Sequence, residues 1–172
     1  MMQMLAAGGL PVLSDGVRAA DVNNQRGYYE WERIKTLAQD PGCMSEAHGH
    51  GLKVISSLLP LLPQQHSYRV VFLVRPLEEV AASQAEMIRT LQAGGPALER
   101  AIVLRALEAH LRQTRAWLNQ QAWLPALFLD YHAVLQEPKA YAMRVQEFLG
   151  SPLDVDRMAS QVDLSQWRQR SL

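Results

Sequence analysis

The sequence is poor in the features that tie small proteins to special environments. It holds one cysteine, Cys43, so no internal disulfide can form, and without companion thiols that residue cannot seed a thiolate zinc site. A reducing compartment is expected. Neither sign of charge is in excess, with 17 Lys+Arg against 17 Asp+Glu, and no run of like charges collects along the chain. Nucleic acid and anionic membrane surfaces are therefore not expected partners. No apolar run approaches the ~20 residues needed to span a bilayer. The first 13 residues lack a basic leader and are interrupted by Gly8, Gly9 and Pro11, which excludes a signal core. Internal repeats and low-complexity linkers are also missing. These absences leave a soluble, cytoplasmic protein as the expectation.

What is present is enough apolar material for a core: 48% of the 172 residues are hydrophobic, which suits one domain over residues 1–172. Residues 1–7 read as a short helix, apolar almost all round, stopped by Gly8-Gly9. A helix at the front of an α/β unit normally packs on a preceding strand, so the domain reads as N-terminally truncated, with an exposed apolar helix open to self-association. Residues 11–27, rich in Asp, Asn and Gly, read as irregular. Over residues 28–39, Trp31, Ile34 and Leu37 fall at helical spacing. Residues 53–55 read as a small strand, and residues 58–63 as a turn or short helix.

Residues 68–74 are β-branched and aromatic and nearly free of charge, as expected of a strand buried on both faces of a parallel sheet. Pro76 opens a helix with Leu77, Val80, Ala81, Met87, Ile88 and Leu91 as its buried stripe, ended by Gly94, Gly95 and Pro96. The longest helix covers residues 97–121, with Leu104, Leu107, Leu111 and Leu118 on one face. A strand over 126–129 follows Pro125, a helix runs from Pro138 to the cap Gly150, and residues 154–172 hold a short helix and a basic end. Alternating strands and helices of these lengths indicate an α/β fold with a mostly parallel sheet.

The richest segment chemically is Val70-Val71-Phe72-Leu73-Val74-Arg75-Pro76 with Ser83 eight positions after the arginine. In open α/β sheets ligands collect beyond the carboxyl ends of strands, where Arg75 would stand. Its planar fork of donors suits phosphate, and the start of the next helix adds partial positive charge. Ser83 would lie roughly 10 Å up that helix at ~1.5 Å per residue, close enough to share an anion with an extended arginine.

This arrangement resembles the 3′-phosphate-binding section of P-loop sulfotransferases, in which an arginine at a strand end and a serine eight residues on hold the activated-sulfate nucleotide PAPS. The segment Ala126-Leu127-Phe128-Leu129-Asp130-Tyr131, with Pro138 and Glu147-Phe148-Leu149-Gly150 beyond it, is similar to the family's next section, where the tyrosine contacts adenine. Leu10-Pro11-Val12-Leu13-Ser14-Asp15-Gly16 and Asn24-Gln25-Arg26-Gly27-Tyr28-Tyr29-Glu30 look like a bacterial branch of the same superfamily.

The resemblance implies a P-loop NTPase-like three-layer fold, PAPS or PAP (the desulfated product) bound by Arg75, Ser83 and Tyr131, and sulfuryl transfer to a hydroxyl or amine of a small-molecule or glycan acceptor. It implies no metal. Residues 14–30 would shape the acceptor pocket. Two family features are missing from the sequence. The Gly-x-Pro-Arg-Ser-Gly-Thr loop that grips the phosphosulfate does not occur, and the Lys-Thr-His-Leu-Pro segment that carries the base is replaced by Ser56-Ser57-Leu58-Leu59-Pro60.

By residue type, Asp15, Glu30 and His66 remain candidate bases, with no catalytic residue assigned. His48 and His50 form a His-x-His with no third ligand nearby, and Gly8-Gly9 and Gly94-Gly95 read as helix ends rather than phosphate cradles. Trp117 and Trp123 read as core. Arg168 and Arg170 read as solvated, with a lesser part in phosphate binding kept open. Two other readings stand beside the enzyme: a truncated, non-catalytic nucleotide-binding remnant or protein-interaction module, and a small-molecule kinase. The kinase would need a lysine-bearing phosphate loop that the sequence lacks.

Overall fold

The computed structural model describes residues 1–17, 27–90 and 99–163. The glycine stop at 94–96 and the tail arginines lie outside them. The chain is α/β, with a small parallel sheet of two strands, β1 (Val70–Val74) and β2 (Ala126–Asp130), in the register Val70↔Ala126 through Val74↔Asp130. Among the described residues six α-helices accompany it: α1 (Met2–Ala7), α2 (Leu77–Thr90), α3 (Arg100–Leu118), α4 (Tyr131–Gln136), α5 (Pro138–Leu149) and α6 (Val155–Ser160). Among the described residues, no helix is long and apolar enough to cross a membrane.

Because strand side chains alternate, each strand feeds two cores. Val70, Phe72, Ala126 and Phe128 pack on one side against a cluster holding Trp31, Ile34, Leu37, Met44, Leu59 and Leu118. Trp117 and Trp123 pack there too. Val71, Leu73, Leu127 and Leu129 pack on the other side against Met4, Leu5, Val145 and Met158. Each fully buried leucine or methionine contributes about 1.5–3 kcal/mol relative to exposure, so these two clusters are what hold the short sheet in place.

The helix ends follow local chemistry. Asp130 caps α4 by accepting from the Ala133 N–H at 2.8 Å, and Asp154 caps α6 by accepting from Arg157 N–H at 2.9 Å. Pro138 starts α5, and Gly150 ends it at φ 66°. Gly8 has another role. A Cβ there would lie 2.6 Å from Met158 Cγ, so only glycine lets the end of α1 approach α6, where its carbonyl accepts from the Asp154 N–H at 2.9 Å.

Several expectations from sequence are corrected. The apolar face of α1 is not exposed: Met4 and Leu5 are 2% and 6% accessible, covered by α6 and its neighbours, which removes the basis for self-association through that helix. Residues 53–55 form no strand: the bridge Val12↔Gly51 lies just before them, and among the described residues they pair with no strand. Helical spacing over 28–39 yields only a 3-10 turn, Glu32–Thr36, although Trp31, Ile34 and Leu37 are buried as their spacing implies. Tyr29 at φ 51° directly precedes Glu30 and Trp31, which breaks any longer helix. Ile88 is exposed rather than part of a buried stripe, and β1 is half-buried along its length rather than enclosed.

Candidate functional site

The parallel register decides what meets at the carboxyl end of the sheet. Val74 is paired with Asp130, so the next residues, Arg75 and Tyr131, emerge side by side. The Arg75 guanidinium lies over the Tyr131 ring, 5.0 Å from its centroid. Both residues are half-buried.

Between Arg75 and Ser83 stands a residue that sequence reasoning passed over. Glu79, one turn above Arg75 on α2, is 2% accessible, and its Oε2 accepts from Arg75 Nε at 3.0 Å. Its Oε1 is 2.9 Å from His132 Nε2 on α4. Burial alone would push the Glu79 carboxyl up. The hydrogen bonds and charges of Arg75 and His132 outweigh it, and the carboxyl is held below its usual range. The Tyr131 phenol is pushed up, chiefly by burial and further by the Glu79 carboxylate, while the Arg75 charge pulls the other way.

The i, i+4 spacing of Arg75 and Glu79 was a visible signal for this pair. Nothing local announced His132, which reaches Glu79 only because β2 delivers it there. Ser83, a further turn along α2, is exposed. The arginine and tyrosine are thus brought together. The serine is on the same helix, with the buried carboxylate between it and the arginine. The Arg75 Nη atoms have no protein partner among the described residues.

The candidate bases differ in environment. Asp15 is engaged by the Glu32 N–H at 2.6 Å and the Val17 N–H at 3.0 Å, and these backbone donors hold its carboxyl below the usual range. A carboxylate so stabilised is a weak proton acceptor. Glu30 is paired with Lys53 at 3.0 Å. His66 lines a groove of about 790 Å³ beside β1, and its Nε2 is shielded from solvent without a hydrogen-bond partner among the described residues. His50 Nδ1 lies 2.9 Å from the His48 carbonyl.

A second, smaller concavity of about 290 Å³ contains another pair that sequence reasoning missed. Ser56 Oγ is 2.7 Å from His110 Nε2, with Thr114 Oγ1 at 3.4 Å from the same nitrogen. Among the described residues no carboxylate orients the other ring nitrogen, the group that would complete a nucleophilic triad. The pair ties α3 to the turn at Ser56–Leu61.

Compared with known protein families, characterised proteins and solved structures, the chain matches none.

Proposed function

We propose that this protein binds a phosphorylated nucleotide at the carboxyl end of β1 and β2 and acts, as sulfotransferases do, in sulfuryl transfer from PAPS to an acceptor hydroxyl or amine. The observation that supports the reading is the juxtaposition of Arg75 and Tyr131 at adjacent strand ends, with the Arg75 Nη atoms unspent. In this reading the 3′-phosphate takes two donors from the arginine fork and one from the Ser83 hydroxyl. Glu79 grips Nε and so fixes the guanidinium plane. The adenine rests on the face of Tyr131 that Arg75 leaves open.

These residues suit the phosphate end of the nucleotide, although Glu79 sets a negative charge beside it, which is held by Arg75 Nε at 3.0 Å and His132 Nε2 at 2.9 Å. PAPS, when bound, supplies the sulfuryl group and the leaving phosphate. The chain's own contribution is placement: rigid anchoring of the nucleotide leaves the reactive end in one position relative to an acceptor.

A second reading is favoured by the burial of Glu79. Arg75, Glu79 and His132 also form a cluster around one buried carboxylate that pins α2 and α4 to the sheet without any ligand, as a non-catalytic interaction domain would need. The two readings separate on Ser83. It is exposed and outside that cluster, so Ser83→Ala should leave the melting temperature unchanged while weakening PAP binding about ten- to a hundredfold, the value of one hydrogen bond to a charged group. Titration calorimetry with PAP measures it. Undetectable PAP binding by the wild-type chain, or equal affinity in Ser83→Ala and Arg75→Ala, would refute the nucleotide site.

A further inference from the structure

A groove of about 790 Å³ runs along β1, and its lining has an unusual order. Every residue from His66 to Leu73 contributes. A cavity over one face of a sheet is lined by alternate residues, because successive side chains point to opposite faces. A lining that takes residues of both parities lies instead along the strand's edge. β2 occupies the other edge of β1, so among the described residues this is the unpaired one.

The backbone has the matching polarity. Val70 N–H donates to Pro125 O at 2.9 Å, which turns Val70, Phe72 and Val74 toward β2. By alternation the N–H and C=O groups of Val71 and Leu73 face the groove. On one side of that edge stand Met1 and Met2, which pack with the second core cluster. On the other stand Met44, Leu59 and Leu62 of the first. The groove therefore has a hydrogen-bonding floor between two apolar walls, one above and one below the sheet plane. Its charged side chains are Arg69 and Lys53, the latter paired with Glu30; His48, His50 and His66 join them, and no carboxylate lines the groove.

We propose that this groove is a β-augmentation site, filled by an extended segment of about five residues from another polypeptide that adds a third strand beside β1. A strand supplies what the lining lacks: backbone partners for Val71 and Leu73, and apolar side chains directed alternately into the two walls. Five residues at ~3.3 Å each match the length of β1. The carboxylate-free rim selects a segment with acidic residues flanking its apolar centre. The site is separate from the nucleotide reading, since Arg75, Ser83 and Tyr131 do not line it.

The test uses the full chain and the peptide acetyl-Asp-Glu-Val-Leu-Val-Leu-Val-Glu-Asp-amide, with amide exchange read residue by residue by NMR. The peptide should slow exchange at Val71 and Leu73 at least about tenfold. The same peptide with alternate backbone nitrogens methylated should bind about tenfold more weakly, because its hydrogen bonds are lost. A version with glutamine and asparagine at its ends should bind several-fold more weakly at low salt, with the difference shrinking as salt is added. No slowing at millimolar peptide, or equal binding by the methylated peptide, overturns the proposal. Slowing of the same two amides on raising protein concentration alone also overturns it, and assigns the groove to a second copy of the chain.

Discussion

Replacing Glu79 by glutamine tests the organisation of the sheet's carboxyl end. Glu79→Gln keeps the shape and one acceptor, and its amide can donate to a neutral His132, so the loss is confined to the negative charge. The Arg75 ion pair becomes a hydrogen bond from a cation to a neutral amide, and the bond to His132 loses its anionic partner, a difference of about 1 kcal/mol each. The carboxylate is out of contact with water yet lies beneath a thin cover, and Arg75 and His132 are 26% and 25% accessible, so partial rehydration limits the cost. The expected loss is about 2 kcal/mol at pH 7, a fall in Tm of roughly 4–8 °C for a chain of this size. Glu79→Ala, which takes from Arg75 its buried carboxylate and from His132 Nε2 its neighbour, should cost about 3–4 kcal/mol.

The pH dependence follows from the direction of the shift. The folded carboxyl titrates below its usual value of 4.5, so its contribution is complete above that value and is lost as the pH falls through the lower, folded value. Urea unfolding followed by tryptophan fluorescence should show the gap between wild type and Glu79→Gln at full size at pH 7 and narrowing below about pH 4.5. A gap under about 0.5 kcal/mol at pH 7, or one that stays flat down to about pH 3.5, would refute the argument that the charge is what the cluster uses.

Two further predictions concern packing. Gly8→Ala should destabilise the chain by about 1–3 kcal/mol, since its Cβ meets Met158 at 2.6 Å. In combination with Met158→Ala the two losses should sum to less than their separate values, and additivity in a double-mutant cycle would contradict that contact. Cys43 is 0% accessible and its thiol is pushed up, first by burial and then by the nearby Asp40 charge. It should react with a thiol reagent only as fast as the first core opens, so addition of urea should accelerate labelling, and rapid labelling of the native chain would disprove its burial.

Much of the fold could be read from residue order. The strands expected at 68–74 and 126–129 form at Val70–Val74 and Ala126–Asp130, the first from an apolar, β-branched run and the second from an apolar one after Pro125, and Pro138 and Gly150 marked α5 almost to the residue. The errors were of one kind. At 53–55 an apolar stretch had the composition of a strand but no neighbour to pair with. At 28–39 the spacing of Trp31, Ile34 and Leu37 was right for burial, yet the left-handed backbone at Tyr29 left room only for a turn. Short segments are settled by what packs on them, and propensity is too weak to overrule it.

The candidate site divides in the same way. Arg75 and Tyr131 were identifiable because each follows a recognisable strand, and strand ends are where side chains gather in a parallel sheet. Glu79 was within reach through its i, i+4 spacing.

By itself, the residue order determined where the longer helices and the two paired strands lie and where α5 begins and ends. All of these depend on interactions between residues a few positions apart. The tertiary structure alone decided that His132 closes a cluster with Arg75 and Glu79, that α1 is covered by α6, and that one edge of β1 is left without a partner. Those outcomes rest on strand register and helix docking, in which groups fifty or more residues apart meet because two apolar surfaces fit, and no local pattern carries that information.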